Sequence, residues 1–279
     1  MTELESSHEF GTDYQNQMEA AQGSWWVRSM HEFGRRLLGG IPRSVSVLDA
    51  GCGSGATLHW LAPLVDESVG LDVSLPGLAR ARRAAPLGHY LAASASSLPF
   101  TGARFDLVVS TDVLQHLQIP DRQLAISETY RVLRPGGRVL LRTNARSLRR
   151  GVSERDDWHL IDPRALRREV EAAGFVVERM THANAIGAIV AVLGNLRHRT
   201  GGQRLAHHQH SDVADPEFSN TGVGQGASTM GIGIPTRRSA WVERCGSLAA
   251  AIERFLVFRL GVNLPVGHTL YVLASRERA

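Results

Sequence analysis

The feature that most narrows the fold of this chain is the run Val47-Leu48-Asp49-Ala50-Gly51-Cys52-Gly53-Ser54-Gly55. A β-branched, apolar segment at 45–48 leads into it and an amphipathic stretch at 56–62 leads out of it. That order reads as strand, sharp turn and helix. The glycines let the backbone bend and let a ligand lie against it, since a side chain there would fill the ligand's space. The opening of the next helix offers N–H groups without intrahelical partners to a bound anionic group. A second acid sharpens the reading. Val69-Gly70-Leu71-Asp72-Val73 has the look of the next strand, with Asp72 at its carboxyl end. A carboxylate about 20 residues beyond a glycine-rich turn is placed to accept from ribose hydroxyls.

The rest of the chain continues the alternation of strand and helix. After a polar stretch, Ser24-Trp25-Trp26 opens a helix through Leu38. Adjacent tryptophans on a helix point about 100° apart, so one can fill the core while Trp26 covers a ligand. Both in the core is the alternative. Pro76 opens a helix through Ala85, residues 89–93 read as a third strand, and Phe105 to Ser110 as a buried fourth. Asp121 is expected to cap a helix through Leu133, which Arg134-Pro135-Gly136-Gly137 stops. A fifth strand is expected at 138–142 and a helix from Asp162-Pro163 to Gly174. A sixth strand then falls at 175–180 and a last at 269–274. Between these last two lie an apolar helix near 185–196, a polar, glycine-rich loop near 200–236 and an amphipathic helix near 248–260. Long loops in compact domains tend to serve as lids or binding loops, so this insertion is expected to form a helical cap.

The form Asp49-x-Gly51-x-Gly53-x-Gly55 resembles the first motif of class I S-adenosylmethionine-dependent methyltransferases, and Asp72 resembles their ribose-binding acid. Ser94-Ala95-Ser96-Ser97-Leu98-Pro99-Phe100 resembles the segment lining the adenine ring. That family often has an acid where this chain has Ser94; a hydroxyl or a backbone carbonyl can substitute. Arg131 to Gly137 closely resembles the turn before the fifth strand in the same superfamily.

The resemblance spans residues 45–143 and implies an α/β fold. Its doubly wound, mostly parallel seven-stranded sheet has the order 3-2-1-4-5-7-6, the last strand antiparallel, with a helical cap inserted before it. The expected units are a tail and lid helix at 1–40, a core at 41–183 plus 267–279, and the cap at 184–266. The resemblance implies S-adenosyl-L-methionine as cofactor, leaving S-adenosyl-L-homocysteine. The expected contacts are Trp26, Asp49, Gly51, Cys52, Gly53, Asp72, Val73, Ala95, Ser96, Ser97, Leu98, Thr111 and Gln115. Ligands of open α/β sheets sit beyond the strands' carboxyl ends at the crossover, which puts Thr111 to His116 beside the reactive methyl. More loosely, the Trp-Trp helix, the insertion and Pro265-Val266-Gly267-His268-Thr269 resemble a bacterial subgroup acting on small molecules, often specialised metabolites.

The expected reaction is methyl transfer to an oxygen or nitrogen of a small acceptor, with His116 or His159 as general base if one is needed. A non-methylating member that uses the cofactor as scaffold for cyclisation is one alternative, and a nucleic-acid methyltransferase is another. The formal charge is +4, but the chain has no lysine, and its arginines alternate with acids instead of forming a stripe. No nucleic-acid partner is therefore expected. Two cysteines exclude a disulfide framework and suggest a reducing compartment. The polar amino terminus and the absence of a bilayer-length apolar run point to a cytoplasmic protein without a membrane partner. His207-His208-Gln209-His210 is read as a solvated run and no metal is expected; Gly222 to Gly226 imitates a phosphate loop but follows no strand. Oligomeric state is left open.

Overall fold

The computed structural model describes residues 24–42, 44–145, 160–186 and 240–278. Seven strands form one sheet: β1 (Ser46–Ala50), β2 (Glu67–Asp72), β3 (His89–Ala92), β4 (Phe105–Thr111), β5 (Leu133–Asn144), β6 (Phe175–Ala183) and β7 (Thr269–Arg276). Their spatial order is β3-β2-β1-β4-β5-β7-β6. The pairs from β3 to β5 are parallel, and β7 runs antiparallel to both β5 and β6. The expected order and the reversed last strand are both present. The order reverses between β1 and β4, so a crevice opens beyond their carboxyl ends.

Six helices cover the sheet among the described residues: α1 (Trp25–Leu38), α2 (Ala56–Leu61), α3 (Leu75–Ala84), α4 (Ile119–Val132), α5 (Pro163–Ala172) and α6 (Ala240–Arg259). Side chains alternate along each strand, so Val139 and Leu141 of β5 join one core cluster while Leu140 joins the other. The first cluster lies under Ile126 of α4 and Leu166 and Val170 of α5. On the opposite face, Met30, Phe33 and Leu37 of α1 meet Val47, Leu107, Tyr271 and Val257 of α6. Their spacing of three to four residues gives α1 a single apolar stripe. Ser24 caps the helix, its Oγ accepting from the N–H of Val27 at 3.3 Å. The Phe33 and Tyr271 rings stack 5.0 Å apart, and the Tyr271 hydroxyl donates to the Met30 carbonyl at 2.7 Å.

Three boundaries differ from expectation. Asp121 is not the cap of α4. Gln118 holds that position without a side-chain bond, and Asp121 sits in the first turn, where its charge still suits the helix dipole. Strand β5 starts at Leu133, because residues between Leu133 and Arg138 bulge and pairing resumes with Leu107 opposite Arg138. The helix expected from 248 is already present from Ala240, and it packs on α1, the Phe258 ring 5.0 Å from that of Phe33. The expected helix at 185–196 lies almost wholly outside the described residues, as do the His207 run and Gly222 to Gly226.

Candidate cofactor site

The turn after β1 is held from below by β2. The N–H groups of Gly51 and Cys52 both donate to the Leu71 carbonyl, at 2.7 and 2.9 Å. Gly51 has φ +87, and a Cβ there would come within 2.1 Å of a Val113 methyl. Gly53 differs: with φ +51 it has no atom within 4 Å of where its Cβ would be. The Val113 contact excludes any larger residue at Gly51, whereas open space at Gly53 leaves backbone accessible to a ligand.

Asp72 ties this turn to the start of α3. Its carboxylate accepts from the Gly53 N–H at 2.8 Å and from the Ser74 N–H at 2.8 Å. Burial raises its pKa, and those backbone donors oppose the rise. A carboxylate offers about four acceptor positions, so these donors leave capacity to spare. Asp49 is in a harsher place. It is fully buried, neither carboxylate oxygen has a hydrogen-bond partner, and its pKa is raised to about 8, first by burial and then by the charge of Asp72. Burial likewise pushes the Cys52 thiol up.

Beyond β3 the chain returns along the crevice. The Ser94 hydroxyl takes the Ser96 N–H at 3.2 Å and pairs with the Ser96 hydroxyl at 2.7 Å. Ala95 and Ser96 are half-buried and Ser97 is exposed, whereas Leu98 is buried in the core under α4. Glu128 of α4 accepts from the Leu98 N–H at 2.8 Å, and Arg131 donates to the carbonyls of Leu98 and Phe100. That clamp fixes the segment after β3; Val73, which follows β2, is 45% exposed.

At the end of β4, the Thr111 hydroxyl lies 3.4 Å from that of Thr57. Asp112 follows with φ +61, a left-handed conformation costly for a residue with a Cβ. Its carboxylate grips the guanidinium of Arg142 of β5 in a two-point pair, one contact being 3.1 Å from Nε. Arg142 is buried. Burial works against its charge, and Asp112 and the Tyr271 hydroxyl more than offset this, so its pKa lies above the usual arginine value. His31 of α1 faces the same pair; burial and then the Arg142 charge lower its pKa to about 4, leaving it neutral near pH 7.

The geometry gathers the expected residues unevenly. Gly51, Cys52, Gly53, Asp49 and Asp72 meet at one turn. The Gln115 side chain instead turns to β5, accepting from the Asn144 N–H at 2.8 Å and facing the Thr143 hydroxyl at 3.3 Å. His116 ends a short 3₁₀ turn and is half-buried. Trp26 has a buried indole N–H without a partner, and the Trp25 ring lies against Gly246 of α6, where a Cβ would approach within 2.2 Å. His159 lies outside the described residues, among which no cluster suited to a metal occurs. Arg142 and His31 escaped the sequence reading, and Asp112 entered it only within the run Thr111 to His116. The available signal was an arginine directly after Val139-Leu140-Leu141 in a strand buried on both faces.

Known proteins resemble this chain in sequence and in fold. The profile of the family described as "Methyltransferase domain" matches residues 48–141. A malonyl-[acyl-carrier protein] O-methyltransferase of Pseudescherichia vulneris is 41% identical over 106 residues, covering 38% of this chain and 41% of that protein. The chain spans less than half the length of this and two further curated malonyl-[acyl-carrier protein] O-methyltransferases that it matches. In fold, phosphoethanolamine N-methyltransferase 2 of Haemonchus contortus, solved with phosphomonomethylethanolamine and S-adenosylhomocysteine, aligns with a TM-score of 0.58 at 17% identity. That alignment covers 100% of this chain and 61% of the other. A candidate methyltransferase of Encephalitozoon cuniculi is 34% identical over 166 residues, covering 55% of this chain and 74% of that protein. Likeness over most of a relative's length, on a sheet of this order with its glycine turn at the switch point, means that the chain belongs to the class I S-adenosylmethionine-dependent methyltransferases.

Proposed function

We propose that this chain transfers the methyl group of S-adenosylmethionine to an oxygen or nitrogen of a small acceptor, within bacterial specialised metabolism. The observation that carries the reading is the turn itself: an accessible Gly53 backbone between the buried Asp49, without donors, and the half-buried Asp72, with capacity to spare. These residues fit the cofactor. Asp72 would accept from ribose hydroxyls, and Asp49 would answer the ammonium of the methionyl end. Val73, Ala95, Ser96, Ser97 and Leu98 would border the adenine, with Gly51, Cys52, Thr111 and Gln115 shaping the seat and Trp26 closing it.

The bound cofactor supplies an electrophilic methyl on a sulfonium. The protein's own task is to hold the acceptor in line with it and exclude water, an effect worth about 7–11 kcal/mol at its fullest. A hydroxyl acceptor must also lose a proton, for which His116 and His159 are the sequence candidates. His31 is neutral, but burial and the Arg142 charge disfavour its imidazolium more than Asp112 favours it, so it makes a poor base. A neutral amine needs no such base.

A second reading draws on the curated relatives named for malonyl-[acyl-carrier protein], namely an acyl carboxylate presented by a carrier protein. Calorimetry with S-adenosylhomocysteine tests the cofactor seat: Asp72→Ala should weaken binding by roughly 100-fold, the scale of one or two hydrogen bonds to a charged group. Unchanged affinity would remove Asp72 from the ribose. Labelled methyl transfer to malonyl-acyl carrier protein, compared with a panel of hydroxyl and amine acceptors, then separates the two readings.

A further inference from the structure

Asp49 is the only carboxylate among the described residues whose two oxygens are both buried and unbonded. Ionised there, it would lose its hydration with no donor to replace it, so the neutral acid is favoured. The surrounding groups do not reverse this. Asp72 on β2 opposes a second negative charge, and Arg142 on β5 only partly compensates. The Cys52 thiol in the turn and the Tyr90 phenol on β3 are both held above their usual pKa values, chiefly by burial, and remain neutral.

We propose that the Asp49 carboxyl carries a proton in the ligand-free protein and gives it up when an ammonium-bearing ligand settles on the Gly51 to Gly55 turn, so that binding releases one proton. The O–H bond breaks, the electron pair stays on the carboxylate, and the proton passes to buffer; no other bond changes. This rests on the reading of that turn as the cofactor's seat. The ammonium provides the counter-charge that the protein withholds, so Asp49 selects ligands with an amino-acid end over bare nucleosides. Since the free acid's pKa is raised to about 8, affinity should climb with pH below that value and level off above it. The slope for one released proton is about tenfold per pH unit.

The test is titration calorimetry of the full chain at pH 7 in phosphate and in Tris, whose ionisation enthalpies differ widely. S-adenosylhomocysteine should give enthalpies that differ between buffers by close to one proton's worth, with affinity about tenfold tighter at pH 7.5 than at 6.5. 5′-Methylthioadenosine, which lacks the ammonium, should show no buffer dependence, and Asp49→Asn should lose it for S-adenosylhomocysteine. Equal enthalpies in both buffers, or release that persists with methylthioadenosine or in Asp49→Asn, would overturn the proposal. Release surviving in Asp49→Asn would move the proton to Asp72 or another group. If neither ligand binds, the seat itself is misplaced and the inference goes with it. The two-ligand comparison on the unaltered chain decides the matter even if Asp49→Asn does not fold.

Discussion

The two edges of the sheet treat their charges in opposite ways. At the edge where β4 begins, Asp106 accepts from the Ser46 N–H at 2.9 Å, the Ser46 hydroxyl at 3.0 Å and Arg134 at 2.6 Å. Burial tends to raise its pKa, but these donors outweigh that and hold it below the usual carboxylate value. Close by, Arg104 pairs with Glu67. At the carboxyl edge, Asp49 sits on the neighbouring strand with no donor and its pKa pushed the other way, to about 8. Asp112 holds a left-handed backbone there, and Trp26 buries an unmatched N–H. Both edges carry an aspartate on or just beyond β4 paired with an arginine of β5, Asp106 with Arg134 and Asp112 with Arg142. The Asp106 carboxylate is satisfied by protein donors, whereas the Asp49 carboxylate has none.

The largest effect that bears on this contrast is expected at Arg142. Arg142→Met removes the cation from a buried pair and leaves Asp112 and its strained backbone uncompensated. Such a break costs about 3–5 kcal/mol. An unfolding free energy from denaturant titration lowered by less than a third of that would mean that Asp112 is held by its backbone alone.

The two aspartates come next, with opposite signs. Asp106→Asn should cost about 1.5–3 kcal/mol at pH 7 through loss of charge-assisted hydrogen bonds. Asp49→Asn should leave the free protein's stability unchanged or slightly raised. The pH dependences follow. Asp106, depressed in the fold, contributes stability above its unfolded pKa and loses it as pH falls through the lower folded value. Asp49, raised in the fold, retains a proton that the unfolded chain has shed between about pH 4 and 8. It therefore makes stability fall as pH rises through that window, and Asn should flatten that slope. Thermal unfolding of both variants from pH 3 to 9 checks the signs, and a matching slope in the two would erase the contrast.

The smallest effect is expected at the satisfied edge's surface. Glu67→Gln opens the pair with Arg104, in which both side chains are about one-third exposed, and should cost less than about 1 kcal/mol. A larger loss would show that this edge works as one network instead of separate pairs.

How much of this could be read from the residues depended on the range of the interactions involved. The turn from Asp49 to Gly55 and the acid at Asp72 were legible because strand, turn and helix are local signals. The cap on α5 was legible for the same reason: Asp162 accepts from the Ala165 N–H at 2.9 Å, three residues away. The cap on α4 was misread because Asp121 follows a proline, Pro120, that already sits in the first turn. Glu253 shows the long-range case. Its buried carboxylate on α6 accepts from the N–H groups of Asn184 and Ile186, at 2.7 and 2.8 Å, across 67 or more residues of sequence. Nothing adjacent to Glu253 announces that role.

The place where the sheet reverses was implied by the family resemblance. By itself, the sequence determined the succession of strands and helices along the chain and the sharp turn after the first strand. Those depend on side-chain periodicity and on glycines at obligatory bends, which act within a few residues. Only the tertiary structure decided that His31, Asp112, Arg142 and Tyr271 share one site, because they arrive on α1, the end of β4, β5 and β7. Only it decided that Asp49 has no partner, since a carboxylate's ionisation is set by what the completed fold places around it and by the water it shuts out.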